Sequence, residues 1–188
     1  AELGFSMTDA IHATMVGSSH ERTSQLLVEA YGVAFPYGQF DELCRTNMRE
    51  RTHAGVPLKR GAQAFIGELH RRGIPVAVAT SSRHVHAHHH LTEAGLWDLF
   101  DTVVTRDDVV HPKPHPEPYL TAAGRLGVDP AQCLALEDSH AGVHAAHAAG
   151  MQTVMVPDLV HPSEDLRALG IAIVESLDHV HAAAFRHG

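Results

Sequence analysis

Glu137 and Asp138 stand side by side at the end of a short apolar run, Leu134-Ala-Leu136. A run of that kind predicts a strand buried on both faces. The stretch after it, Ser139 to Gly150, reads as a helix closed by a glycine. Two carboxylates delivered to the carboxyl end of a strand, just before a helix begins, are placed to hold a hard cation. Mg²⁺ suits such a place, because it takes one or two protein carboxylates and keeps its waters. Helix N-cap chemistry would account for Asp138 but not for both acids.

Two further stretches carry chemistry of a compatible kind. Thr80-Ser81-Ser82 directly follows the apolar run Pro75-Val-Ala-Val-Ala79. Small hydroxyls and backbone N–H groups at a strand end form an anion cradle, although Ser and Thr are also common helix caps. Lys113 lies in His111-Pro-Lys-Pro-His-Pro-Glu-Pro118, where prolines on alternate positions impose a stiff, extended loop. An ammonium held in such a frame can act as a point charge on a phosphate and on a nearby carboxylate.

The pattern of elements around these stations predicts how they are positioned. Residues 1 to about 56 read as helical. Ala10, Ala13, Met15 and Val16 give a loose apolar stripe, Ser24 to Tyr31 a better one closed by Gly32, and Phe40, Leu43, Cys44 and Met48 a third running to about Ala54. From Val56 helices and strands alternate. Ala62, Phe65, Ile66 and Leu69 mark a helix before Gly73, and 75–79 is a short, all-apolar strand of the kind buried on both faces. Residues 86–94 are a helix, 102–105 a strand and 116–126 a helix. Strands follow at 133–136, 153–156 and 171–174, with helices at 163–169 and 177–186. Such alternation implies a parallel, doubly wound α/β sheet. The expected organisation is a helical subdomain over 1–56 and an α/β core over 57–188.

Composition narrows the function classes. The formal charge is −8 and no stretch concentrates Lys or Arg, which argues against nucleic acid as a partner. No apolar run approaches the ~20 residues of a membrane span, and no signal peptide opens the chain. Cys44 and Cys133 lie far apart in apolar patterns, as buried free thiols of a reducing cytoplasm would. Among 18 histidines, a cluster at His84, His86, His88, His89 and His90 stands out. His86 and His90 share an i, i+4 face that could bind nickel or zinc, although no carboxylate or cysteine is evident nearby to complete a dedicated site.

Taken together, Thr80-Ser-Ser, Lys113-Pro-His-Pro and Leu136-Glu-Asp-Ser139 with its alanine-rich helix resemble the haloacid dehalogenase superfamily over nearly the whole chain. The spelling is similar to that of the β-phosphoglucomutase-like branch, which carries a helical cap. The resemblance implies a Rossmann-like core with Thr80 or Ser81 at the transferred phosphoryl group. It also implies that Lys113 steadies an aspartyl-phosphate and that Glu137 and Asp138 hold Mg²⁺. His20, Glu21 and Arg22 are candidates for a specificity loop, a role that surface charge would explain equally well.

In that family a nucleophilic aspartate opens the chain in an Asp-x-Asp pattern on the first strand. Here no such pattern follows an apolar strand, and Asp107-Asp108 comes too late. The resemblance therefore implies a segment upstream of Ala1 carrying the nucleophile, a partnering acid and a strand that lies centrally, between those ending at Thr80 and Asp138. Without it, buried backbone groups would each cost about 1–3 kcal/mol, against a domain stability of ~5–15 kcal/mol. The 188 residues alone are not expected to fold as a compact monomer with the sheet intact. The expected activity is Mg²⁺-dependent phosphoryl transfer from a small phosphorylated metabolite such as a sugar phosphate. The alternatives are an inactive truncated remnant and a β-phosphoglucomutase-type isomerase.

Overall fold

A computed structural model of the chain describes residues 3–52 and 57–185. Three helices come first: α1 (Asp9–Met15), α2 (His20–Tyr31) and α3 (Tyr37–Thr52). Thr8 and Ser19 accept from the N–H groups of Ile11 and Arg22, so side-chain oxygens set the starts of α1 and α2. The expected end of the third helix at Ala54 lies outside the described residues. Then follow α4 (Ala62–Arg71), β1 (Ala77–Ala79), α5 (His84–Glu93), β2 (Thr102–Val104), α6 (Glu117–Leu126) and β3 (Leu134–Glu137). The chain continues through α7 (His140–Ala148), β4 (Gln152–Met155), α8 (Glu164–Ala168), β5 (Ala172–Ile173) and α9 (Leu177–Phe185). The alternation read from the sequence holds throughout, with boundaries moved by a residue or two, as frayed ends allow.

All strand pairs are parallel, but they form two sheets rather than one. β1 pairs β2, with Ala77 opposite Thr102, and β3 pairs β4, which pairs β5. Among the described residues no strand joins β1 to β3. Between them runs a cleft of 730 Å³ lined by Ala77, Ala79, Tyr119, Ala135 and Glu137. The two halves are held by helix packing: α6 lies on β1 and β2, α7 lies on β3 and β4, and α6 touches α7.

The gap explains a departure in burial. A strand buried on both faces was expected over 75–79, yet Ala77–Ala79 are only half-buried, and Leu134 of β3 is 48% exposed. Among the described residues, neither strand has a neighbour on the side that faces the cleft. In β4, which has a neighbour on each side, Met155 is 0% exposed and packs with Val143 of α7 and Leu166 of α8. Ala13 and Val16 lean on that same cluster, which docks α1 onto the α/β core.

The cysteines depart from expectation as well. Both are free thiols, but Cys44 is exposed and Cys133 half-buried. Cys44 lines an open pocket with Phe5, Tyr31, Phe35 and Phe40, so its stripe on α3 faces a groove instead of a closed core.

Candidate active site

The three stations converge where β1 and β3 end. Thr80 extends the β1–β2 ladder by one bond, its N–H donating to Val104 O at 2.9 Å. Its Oγ1 accepts from Ser82 N at 3.1 Å, which curls the chain out of the strand. Ser81 Oγ donates to the Gly17 carbonyl at 2.8 Å, linking this station to the turn between α1 and α2.

Lys113 crosses the gap between the sheets. The proline-framed loop buries it to 6% exposure. Its Nζ donates to Ala79 O at the end of β1, at 2.9 Å, and to Glu137 Oε1 at the end of β3. Nζ also lies 5.0 Å from the centre of the Tyr119 ring, within cation–π range. One ammonium therefore ties two strand ends that share no backbone bond.

Glu137 is a fully engaged acceptor. Oε1 takes Lys113 Nζ and the Tyr119 hydroxyl, and Oε2 takes Ser139 Oγ at 3.0 Å and the N–H groups of Asp138 and Ser139 at 3.2 and 3.4 Å. An ionised carboxylate offers about four acceptor sites, so its capacity is filled. Burial works to raise the Glu137 pKa, but Lys113 and the donors around it prevail and hold it below the ordinary carboxylate value. Tyr119 moves the other way. Its own burial, then the adjacent Glu137 charge, push its phenol well above the usual value, so it stays a donor.

Asp138 faces outward, its side chain 45% exposed, with Oδ2 3.7 Å from Lys59 Nζ. That ammonium also approaches Asp158 Oδ2 at 3.8 Å and donates to Val156 O at 3.0 Å. Desolvation, followed by the like charges of Glu137 and Asp158, raises the Asp138 pKa against the opposing pull of Lys59. Two carboxylates and a carbonyl thus gather around a positive charge. By type these are hard oxygen donors of the kind Mg²⁺ takes, with Asp138 presenting the accessible oxygens and Glu137 committed to Lys113.

Small residues permit the close approach of these groups. Gly142 sits in the first turn of α7, and a Cβ there would overlap the Glu137 carboxylate. Gly17 adopts φ +77°, and a Cβ there would strike Ser139, the N-cap of α7. The structure thus brings Thr80, Ser81, Lys113, Glu137 and Asp138 to one end of the molecule. The specificity candidates make contacts of their own, and Glu21 lies next to the hydroxyl station through Arg106, whose backbone N–H donates to Ser82 O at 2.9 Å. His20 contacts Tyr37 and Asp41, and Arg22 contacts Gln25 and Glu29. Glu21 reaches Arg106 of the core at 3.3 Å. Sequence reasoning assigned no role to Tyr119, Ser139, Lys59 or Asp158. Ser139 could have been found as a helix cap and Tyr119 as the residue ending the proline-rich motif. The contact of Lys59 with Asp138 has no local signal, since 79 positions separate them.

The family described as haloacid dehalogenase-like hydrolase matches residues 2–156, and the chain belongs to it. The chain is 34% identical over 171 residues to "Putative phosphatase YhcW" of Bacillus subtilis, an alignment covering 86% of this chain and 76% of that protein. It is 46% identical over 82 residues to fructose-1-phosphate phosphatase YqaB of Escherichia coli, covering 44% of each. Among solved structures, β-phosphoglucomutase of Clostridium difficile superposes with a TM-score of 0.80, covering 98% of this chain and 83% of that one at 20% identity. The fold is therefore the Rossmann-like fold of β-phosphoglucomutase. The chain spans less than half the length of YqaB and about three quarters of YhcW.

Proposed function

We propose that the chain forms the body of a Mg²⁺-dependent phosphatase acting on a small phosphorylated metabolite such as a sugar phosphate. The observation that carries this reading is the convergence of a hydroxyl station, a buried lysine and an outward carboxylate on one cleft mouth. YhcW and YqaB, both phosphatases by name, support the reaction class.

In this reading a strand from upstream of residue 1 occupies the cleft between β1 and β3. It would carry an aspartate to the mouth, beside Lys113. The aspartate oxygen attacks phosphorus, the ester P–O bond breaks, and the alcohol leaves with a proton from a neighbouring acid. Water then hydrolyses the aspartyl-phosphate and releases inorganic phosphate. Thr80 and Ser81 orient the phosphoryl oxygens. Lys113, fixed by Glu137 and Ala79, places positive charge beside them without having to reorganise. Of the expected metal pair Glu137 and Asp138, Asp138 is the direct carboxylate, while Glu137, filled by Lys113, Tyr119 and Ser139, holds the strand end beside it. Mg²⁺, when bound, would offset charge on the phosphoryl oxygens.

Helices α1 to α3, within residues 1–56, act as a cap over the core of residues 57–188. The Ser81–Gly17 bond is a natural pivot between them. We place the protein in the cytoplasm, on the strength of its two unpaired thiols. Residues 1–188 alone would lack the nucleophile and turn over no substrate. The test is phosphate release from a panel of hexose, pentose and nucleoside monophosphates by the polypeptide that includes its upstream segment. Mg²⁺-dependent release from sugar phosphates is expected. Equal turnover by residues 1–188 alone would contradict the upstream nucleophile.

A further inference from the structure

Helix α5 carries the histidine cluster, and the structure sorts its members. His84 and His88 stack on each other and both pack edge-on against Trp97, their ring centres 5.9 and 4.4 Å from it. Packing accounts for that pair. The i, i+4 pair expected from the sequence, His86 and His90, does not gather with a further donor among the described residues. His89, His90 and Glu93 do: each presents one ligand atom, and the three lie within 4.8 Å of one another. No carboxylate is expected near the tract from the sequence. Glu93, one turn beyond His89, supplies one.

The spacing of His89 and Glu93 suits a shared ion better than a direct hydrogen bond. His89 Nε2 and Glu93 Oε2 are 3.4 Å apart, beyond the roughly 2.7–3.2 Å of an N–H···O hydrogen bond. Two donors on a tetrahedral Zn²⁺, each ~2.0–2.1 Å from the metal, would be about 3.3–3.4 Å apart. His90 Nδ1 is buried and has no hydrogen-bond partner among the described residues, which is uncommon for a buried polar atom. His89 and Glu93 are 61% and 41% exposed, so an ion can reach the group from solvent.

We propose that His89, His90 and Glu93 form a surface site for one first-row transition ion, Zn²⁺ foremost, with three protein ligands and an open fourth position. Two imidazoles and a carboxylate are a donor set chosen by Zn²⁺ and not by Mg²⁺, which prefers oxygen alone. The site is therefore chemically distinct from the Asp138 region. Bound metal would pin the last turns of α5, the helix that follows the Thr80–Ser82 station.

Calorimetric titration of the protein with ZnCl₂ in excess MgCl₂ tests this directly, with H89A, E93Q and H86A as variants. All three positions are exposed, and circular dichroism verifies that each variant folds. One equivalent of tight Zn²⁺ binding is expected. Because loss of a mere outer-shell partner costs about 10–100-fold, H89A and E93Q should each weaken binding by at least about tenfold, while H86A leaves it unchanged. Co²⁺ in place of Zn²⁺ should show the visible absorption of a four-coordinate ion, lost in H89A. Affinity unchanged in H89A and E93Q, or reduced as much in H86A, would overturn the proposal.

Discussion

Lys113 and Glu137 form an ion pair across the gap between two sheets, with side chains only 6% and 8% exposed. Lys113 alone also reaches Ala79 at the end of β1, so the pair joins strand ends that no backbone bond connects. Removing one partner leaves the other charge buried, which typically costs about 3–5 kcal/mol. K113M and E137Q should each lose stability on that scale in urea denaturation. The double variant should lose less than the sum, because the orphaned charge is gone.

The pair also sets an acid limit. Glu137 has a folded pKa below its ordinary value. Its contribution is therefore complete above the ordinary carboxylate pKa and is lost as pH falls through the lowered one. Melting temperature measured against pH should fall on the acid side in the wild type, and E137Q should flatten that fall.

Asp138 has the opposite sign. Its raised pKa means that the ionised form costs the fold stability, increasingly as pH rises past the ordinary carboxylate value. D138N should raise the melting temperature at neutral pH. The half-exposed setting limits the gain to at most about 2–4 °C, the shift that ~1 kcal/mol produces at this size. A residue retained at a cost to stability is expected where function needs it.

Two glycines should tolerate nothing larger. G142A forces a methyl into the Glu137 carboxylate, and G17A adds strain at positive φ to a clash with Ser139. Each should destabilise the protein by roughly 1–3 kcal/mol in chemical denaturation. G124A, where a Cβ meets open space within α6, should be neutral or slightly stabilising by comparison.

The order of helices and strands was legible because the apolar runs are short, differ in period and are punctuated by glycine. Thr80, Lys113, Glu137 and Asp138 could be singled out because each stands at a strand end or in a rigid loop. What local sequence does not carry is partnership. The commitment of Glu137 to Lys113, Tyr119 and Ser139, and the approach of Lys59 to Asp138, are set by packing across the chain. The half-buried state of β1 follows from a missing neighbour, which composition within the strand does not reveal.

Hydrolysis of an aryl phosphate by the polypeptide carrying its upstream segment, with and without Mg²⁺, compared with D138A, is the most direct test of a phosphoryl-transfer site at the mouth of the cleft. We expect wild-type turnover that requires Mg²⁺ and falls by about a hundredfold or more in D138A, as loss of several kcal/mol of charge stabilisation implies, with cooperative unfolding retained. Mg²⁺-dependent turnover undiminished in D138A would contradict it.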